Sequence, residues 1–215
     1  MVTRLLIIGA NGLLGTELTR ALAERHGAEC VVTADMVPKG KHPAIRHEMM
    51  DATDFGQLQV VVQKHGVTQI YMLAAAKPDV AEHAPQWSWN LNIASLMNVL
   101  EVARQQKLDK IFWPSSASAL GPATVRLPSC MVTQCLAREP VTVDGMSKLA
   151  GEWWCRWYAE KYAVDVRSMR LPDLRSQGTA EGRSPAIDHA VRAAIELMEA
   201  PRAASMGAAA MAFEA

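Results

Sequence analysis

An apolar run, Arg4-Leu-Leu-Ile-Ile8, leads directly into Gly9-Ala-Asn-Gly12-Leu-Leu-Gly15, and Leu14, Leu18 and Leu22 then recur at helical spacing as far as His26. A buried strand that turns through evenly spaced glycines into an amphipathic helix commits the chain to a strand–turn–helix unit. Such a unit buries its apolar strand only if further strands and helices pack around it.

The rest of the chain supplies them. A second strand, Cys30 to Ala34, ends at Asp35, and a third lies near Ile45 to Met50, before the acidic corner Asp51-Ala52-Thr-Asp54. A helix is expected from Phe55 to Lys64, a strand from Thr68 to Leu73, a long helix from Pro85 to Gln106, and a fifth strand at Lys110-Ile-Phe-Trp113. Residues Gly121 to Pro140 read as a loop. Helix returns from Gly145 to Tyr162, and a strand from Val164 to Met169 is stopped by Pro172. An exposed loop then leads from Arg175 to Pro185 into a helix from Ala186 to Glu199, and the last 13 residues, seven of them alanine, show no clear element. Strands alternating with helices at this spacing imply βαβ units with right-handed crossovers. The expected fold is α/β, a doubly wound parallel sheet.

Composition excludes several classes of function. The 215 residues carry 22 Lys+Arg against 22 Asp+Glu, a balance that argues against a nucleic-acid partner, because phosphate binding needs clustered positive charge. No window approaches the run of about 20 apolar residues that a bilayer span requires. The start lacks the regions of a signal peptide, so a cytoplasmic protein is expected. Cys30, Cys130, Cys135 and Cys155 form no CxxC pair, and the six histidines are scattered. Free thiols and no metal site are expected.

Glycines at 9, 12 and 15 permit a tight turn, close approach to a pyrophosphate and close packing of helix on strand. The same turn can be purely structural. Its context favours the dinucleotide: Asp35 ends the second strand 20 residues after Gly15, where a carboxylate would accept hydrogen bonds from ribose hydroxyls. That carboxylate would repel a 2′-phosphate. NAD is therefore expected over NADP, held by Gly9, Asn11, Gly12, Leu13, Gly15 and Asp35.

The sequence resembles the extended short-chain dehydrogenase/reductases, the NAD-dependent epimerase/dehydratase family, and within it the short-chain type of L-threonine 3-dehydrogenase. The resemblance is carried by Leu6-Ile-Ile-Gly-Ala-Asn-Gly-Leu-Leu-Gly-Thr-Glu-Leu18, Trp89-Asn-Leu-Asn-Ile-Ala-Ser-Leu96 and Lys110-Ile-Phe-Trp-Pro-Ser-Ser116. It continues through Glu139-Pro140, Gly145-Met-Ser-Lys148, Gly151-Glu-Trp153 and Val164-Asp-Val-Arg-Ser-Met-Arg170, with Asp188-His-Ala-Val191 a weaker match. The resemblance implies a cofactor domain over residues 1–172 and a reduced substrate lobe and tail over 173–215. It further implies that Asp51 and Ala52 flank the adenine and that Leu73, Ala74 and Ala75 line the phosphate and ribose side. Lys148 would hold the nicotinamide ribose, and Asn92 would support the site. Read without the resemblance, Leu73 to Ala76 is only a small-residue strand end.

In that family a Ser or Thr polarises the substrate oxygen, and a Tyr four residues before a Lys exchanges the proton. Ser116 and Lys148 occupy the Ser and Lys positions, but Asp144 stands where the Tyr belongs, and Pro172-Asp173 where Pro-Gly is usual. None of Tyr71, Tyr158 and Tyr162 has Lys at i+4. A carboxylate is shorter than a phenol and, ionised at neutral pH, serves better as base than as acid. Asp144 therefore reads as a base acting through water or as an ion-pair partner of Lys148.

All six tryptophans fall between Trp87 and Trp157, with Trp153 and Trp157 on one helix face and Trp154 pointing elsewhere. They read either as core or as the contact of a homodimer. The leading expectation for activity is an NAD-dependent oxidoreductase acting on a small 3-hydroxy acid or 3-hydroxy amino acid through Ser116, Asp144 and Lys148. The alternatives are a repurposed lyase, dehydratase, decarboxylase or isomerase with Asp144 as base, and a non-catalytic NAD-binding subunit.

Overall fold

The computed structural model describes residues 3–121, 139–172, 174, 184–202 and the strand at 210–212. Strands β1 (Leu5–Ile8), β2 (Val31–Asp35), β3 (Arg46–Met49), β4 (Gln69–Met72), β5 (Lys110–Ser116), β6 (Val166–Leu171) and β7 (Ala210–Ala212) form one sheet in the order β3-β2-β1-β4-β5-β6-β7. Every pairing is parallel. The expected doubly wound α/β fold is present.

Alternation along β1 explains the two layers. Leu5 and Ile7 point into one apolar cluster with α1 (Leu13–His26) and α7 (Pro185–Glu199), contributed by Leu14, Leu18 and Leu22 and by Ile187, Val191 and Ile195. Leu6 and Ile8 point into the other with α2 (Phe55–His65), α5 (Ser95–Gln106) and α6 (Val143–Tyr162), where Leu58, Val62, Leu96, Leu100 and Cys155 pack. A parallel sheet buried on both faces is held mainly by this apolar area. Arg167 on β6 and Lys110 on β5 both donate to backbone carbonyls at the end of α7, among them Met198 O, so the last turn is anchored to the sheet.

The long helix spans Pro85 to Gln106 as expected, as α4 (Pro85–Trp89), a wide π-turn over Asn90–Ala94 and α5, with a short helix, α3 (Pro78–His83), before it. Two local expectations are corrected. The fifth strand runs three residues past Trp113 and admits Pro114, because its pairing with β4 ends at Phe112 and only β6 lies alongside beyond that point. The alanine-rich end contributes β7, parallel to β6. Residues 122–138 of the loop expected from Gly121 to Pro140, residues 175–183 of that expected from Arg175 to Pro185, Asp173, Cys130 and Cys135 lie outside the described residues. Cys30 and Cys155 are free thiols.

Candidate functional site: the carboxyl edge of the sheet

The chain runs outward from β1 to β2 and β3, then returns to place β4 on the other side of β1. Crossovers on opposite faces leave a crevice at the carboxyl ends of β1 and β4, the usual ligand position in open parallel sheets. The glycine turn lies there. Gly9 adopts a left-handed φ of +81°, and a side chain on it would meet the Ala74 amide nitrogen at 2.6 Å. Ala74 thus packs on the turn, which gives the small residues after β4 a structural purpose. Leu73 N donates to Ile8 O at 2.8 Å, while Ala75 is exposed. A side chain at Gly15 would strike Gly9 O at 2.4 Å, so Gly15 seats the helix on the turn.

Gly12 differs, because a Cβ there would approach only Gly9 O, at 3.2 Å. Space is open on its outer side. Helices α2, α6 and α7 begin on side-chain caps from Asp54, Thr142 and Ser184, whereas α1 begins on Gly12 with none. The first amides of α1 and its dipole therefore face open space beside Leu13, an arrangement suited to a pyrophosphate. Asp35, at the end of β2, accepts from Asn11 N through one carboxylate oxygen and from Met36 N through the other, both at 2.9 Å. Each oxygen keeps acceptor capacity for a ribose hydroxyl. Turn, uncapped helix and carboxylate together fit a dinucleotide.

The neighbouring residues are engaged in support. The Asn11 amide bridges Lys39 O and Lys41 N and so orders the chain after β2. Asp51 accepts from Thr53 N and Oγ1 at 2.8 Å, and Ala52 is buried, its carbonyl accepting from Asn98. Asn92, in the π-turn, accepts from Ala76 N and donates to Ser147 Oγ, both at 2.8 Å, tying β4's loop to α6. A π-turn at this point is consistent with a functional location.

At the end of β5, Ser116 caps a short 3-10 turn (Ala117–Leu120), accepting from Ser118 N at 3.2 Å. The turn lies against α6, because Gly145 lets the helix approach: a Cβ there would be 2.5 Å from Ser118 O. Asp144, in the first turn of α6, is 9% exposed and accepts from Ser118 Oγ at 2.9 Å. Lys148, 8% exposed, donates to Pro114 O at 2.7 Å and lies 4.8 Å from the centre of the Trp113 ring. Burial holds its ammonium below the ordinary lysine range, partly offset by the charge of Asp144. Asp144 and Lys148 make no contact ion pair among the described residues, so the pairing considered from the sequence is not the role the geometry favours. Two ammonium donors of Lys148 remain beyond the bond to Pro114.

Ser116, Asp144 and Lys148 thus converge on the sheet edge that carries the glycine turn. Two further residues assemble the site that sequence reasoning missed. Ser118 was one hydroxyl in a Ser/Ala segment, and Trp113 read as an ordinary strand residue. The tyrosines lie elsewhere: Tyr71 is buried against Phe112, while Tyr158 and Tyr162 surround Trp157 at 5.3 and 5.2 Å. Trp154 does not point away from this group but meets Trp157 edge-on at 5.8 Å. Only Trp113 among the six tryptophans is core; Trp87, Trp89, Trp153, Trp154 and Trp157 are exposed. No cluster of potential metal ligands occurs among the described residues.

The model of the NAD dependent epimerase/dehydratase family matches residues 5–206. The chain belongs to this family. Curated epimerase/dehydratase relatives include an uncharacterized protein of Staphylococcus saprophyticus, 36% identical over 176 residues, which cover 80% of this chain and 54% of that protein. A Staphylococcus epidermidis protein matches to the same extent. The chain spans about half the length of these relatives. Among solved structures, a GalE-like L-threonine dehydrogenase from Cupriavidus necator, in its holo form, is 43% identical with a TM-score of 0.85, covering 97% of this chain and 77% of that one. A partial consensus L-threonine 3-dehydrogenase is 45% identical with a TM-score of 0.82, covering 92% and 73%. NAD is the cofactor of this family, and the glycine turn and the Asp35 carboxylate have the geometry to fit it.

Proposed function

We propose that this epimerase/dehydratase family protein is an NAD-dependent oxidoreductase acting on a small 3-hydroxy acid or 3-hydroxy amino acid. The observation that carries the reading is the placement of the Ser116 hydroxyl, at the end of β5, in a hydrogen-bonded chain ending on the buried Asp144 carboxylate, one helical turn before the buried Lys148. The likeness to the two L-threonine dehydrogenases supports the substrate class. Bound NAD supplies the hydride acceptor. Ser116 orients the substrate hydroxyl and stabilises the carbonyl oxygen that forms from it, Asp144 receives the hydroxyl proton, and Lys148 holds the nicotinamide ribose. The cofactor domain read over 1–172 is completed by α7 and β7, which join its helix layer and its sheet.

The test is absorbance in the reduced-nicotinamide band with NAD and a panel of 3-hydroxy amino acids that includes L-threonine. Hydride transfer is expected. Clear NAD binding without it would overturn the reading. The carboxylate in place of a phenol favours a second reading, a non-redox enzyme with Asp144 as base; if the wild type transfers no hydride, dehydrogenase activity gained by Asp144→Tyr would mark an otherwise assembled site and separate that reading from a non-catalytic NAD-binding subunit.

We assign a homodimer on the strength of the exposed Trp153, Trp154 and Trp157 on α6. The free thiols of Cys30 and Cys155 suit a cytoplasmic protein. Trp154→Glu is expected to halve the mass seen by light scattering, and an unchanged mass removes the pairing.

A further inference from the structure

We propose that Ser118 carries the substrate proton from Ser116 to Asp144. The inference rests on the oxidoreductase reading and adds a residue to it. Asp144 is too short to reach Ser116: among the described residues the two share no hydrogen bond, and Ser118 fills the gap. Its Oγ lies 2.8 Å from Ser116 Oγ and 2.9 Å from Asp144 Oδ2.

The proton positions follow from what each group can do. An ionised carboxylate only accepts, so the single Ser118 hydroxyl proton points to Asp144. Ser118 Oγ is then an acceptor toward Ser116, and the Ser116 proton points to Ser118. Ser118 N donates to Ser116 Oγ at 3.2 Å, leaving one lone pair of Ser116 for the substrate hydroxyl. The wire has one direction.

On oxidation, the substrate O–H bond breaks and its proton goes to Ser116 Oγ. The Ser116 proton passes to Ser118, and the Ser118 proton passes to Asp144. The substrate C–H electron pair leaves as hydride to oxidised NAD, and the C=O bond forms. Each serine ends with one proton, Asp144 ends protonated, and its proton is released to water. Ser116 then donates to the new carbonyl oxygen.

Three features fix the wire. The 3-10 turn is capped by Ser116 itself, Gly145 admits α6 against the Ser118 backbone, and Thr142 caps α6 through Gly145 N at 3.0 Å. Among the described residues, the charged neighbours of Asp144 are Lys148 on its own helix and, from α3, Glu82, which accepts from Val143 N at 2.8 Å. Ser147 Oγ donates to the Asp144 backbone carbonyl, leaving the carboxylate to Ser118. Ser118 is thus a positioning residue that acts through Ser116.

Ser118→Ala and Ser118→Thr, in the full chain, test the wire in two ways. With the best substrate of the panel, Ser118→Ala is expected to lower kcat roughly 100-fold with KM nearly unchanged, and Ser118→Thr to restore it. NAD affinity, read by tryptophan fluorescence, should not change in either. Without substrate, side-chain carbon NMR should show the Ser116 signal shifted by Asp144→Asn when Ser118 is present. In the Ser118→Ala background, Asp144→Asn should leave the Ser116 signal in place. Loss of this coupling in a protein that transfers no hydride would retain the hydrogen-bonded link and remove the oxidoreductase reading alone. Coupling that persists in Ser118→Ala overturns the proposal, as does an unchanged kcat.

Discussion

The Asp35 carboxylate accepts a hydrogen bond from the Asn11 backbone amide at 2.9 Å, across 24 positions of sequence. The group expected to read the adenosine ribose therefore also holds the glycine turn in place. Shape and charge at this end of the sheet are one feature.

Asp35→Ala removes both roles. NAD affinity should fall about tenfold or more, since hydrogen bonds to charged groups contribute roughly 1.5–3 kcal/mol. Discrimination against the 2′-phosphate should fall as well. Titration calorimetry with NAD and NADP reads both changes, and an unaltered ratio of the two affinities would contradict the assignment of Asp35.

Glu152 and Arg170 form a buried bidentate pair, at 2.7 and 2.6 Å, between α6 and β6, and Ser115 adds a third bond to the same carboxylate. Removing one partner deprives the remaining buried charge of its bidentate counterpart. Arg170→Met should cost about 3–5 kcal/mol, and pairing it with Glu152→Leu should recover much of that loss. Urea midpoints at constant slope measure both.

Gly145→Ala places a methyl 2.5 Å from the Ser118 carbonyl oxygen, a backbone atom that cannot swing aside. A loss of about 1–3 kcal/mol is expected, despite alanine's better helix propensity. The displaced turn should lower turnover as well. A protein as stable and active as the wild type would show that the contact is not tight in solution.

Lys148 gives a pH signature. Burial lowers its folded value below the ordinary 10.5, so between that lowered value and 10.5 the unfolded chain binds more protons than the folded one. Stability due to this group consequently rises with pH across the window. Lys148→Met should be more stable than the wild type at neutral pH, with the advantage shrinking as pH approaches 10.5. Tyr71, pushed up by burial, cancels in the difference, but Cys155, pushed up by burial and eased by the charge of Lys148, does not, so both proteins are compared with Cys155→Ala in place. Denaturant midpoints at several pH values read the trend, and a less stable variant at neutral pH would reverse it.

The layers and strand succession were legible because alternation in β1 and the Leu14, Leu18 and Leu22 stripe are short-range patterns. The limits of β5 were not, since Pro114 is tolerated only where β4 ends alongside it. The short β7 was missed because an alanine-rich segment has no periodicity, and only the exposed edge of β6 gives it a partner. Trp154 was misplaced because helical spacing alone does not say which neighbour a large ring turns toward. Lys148 was found by position, but its bond to Pro114 and its place on Trp113 depend on Gly151, where a Cβ would meet the Trp113 ring at 2.4 Å.

By itself, the sequence determined the strand–turn–helix opening, the acidic end of β2 and the presence of Ser116, Asp144 and Lys148, because these are matters of residue type and near-neighbour spacing. Tertiary structure alone decided what those groups do to one another. Ser118 meets Asp144 across 26 positions, Lys148 meets Pro114 across 34, and Ser115 meets Glu152 across 37. Hydrogen bonds act over about 3 Å, so only the packing of α6 on the ends of β5 and β6 brings such partners within range.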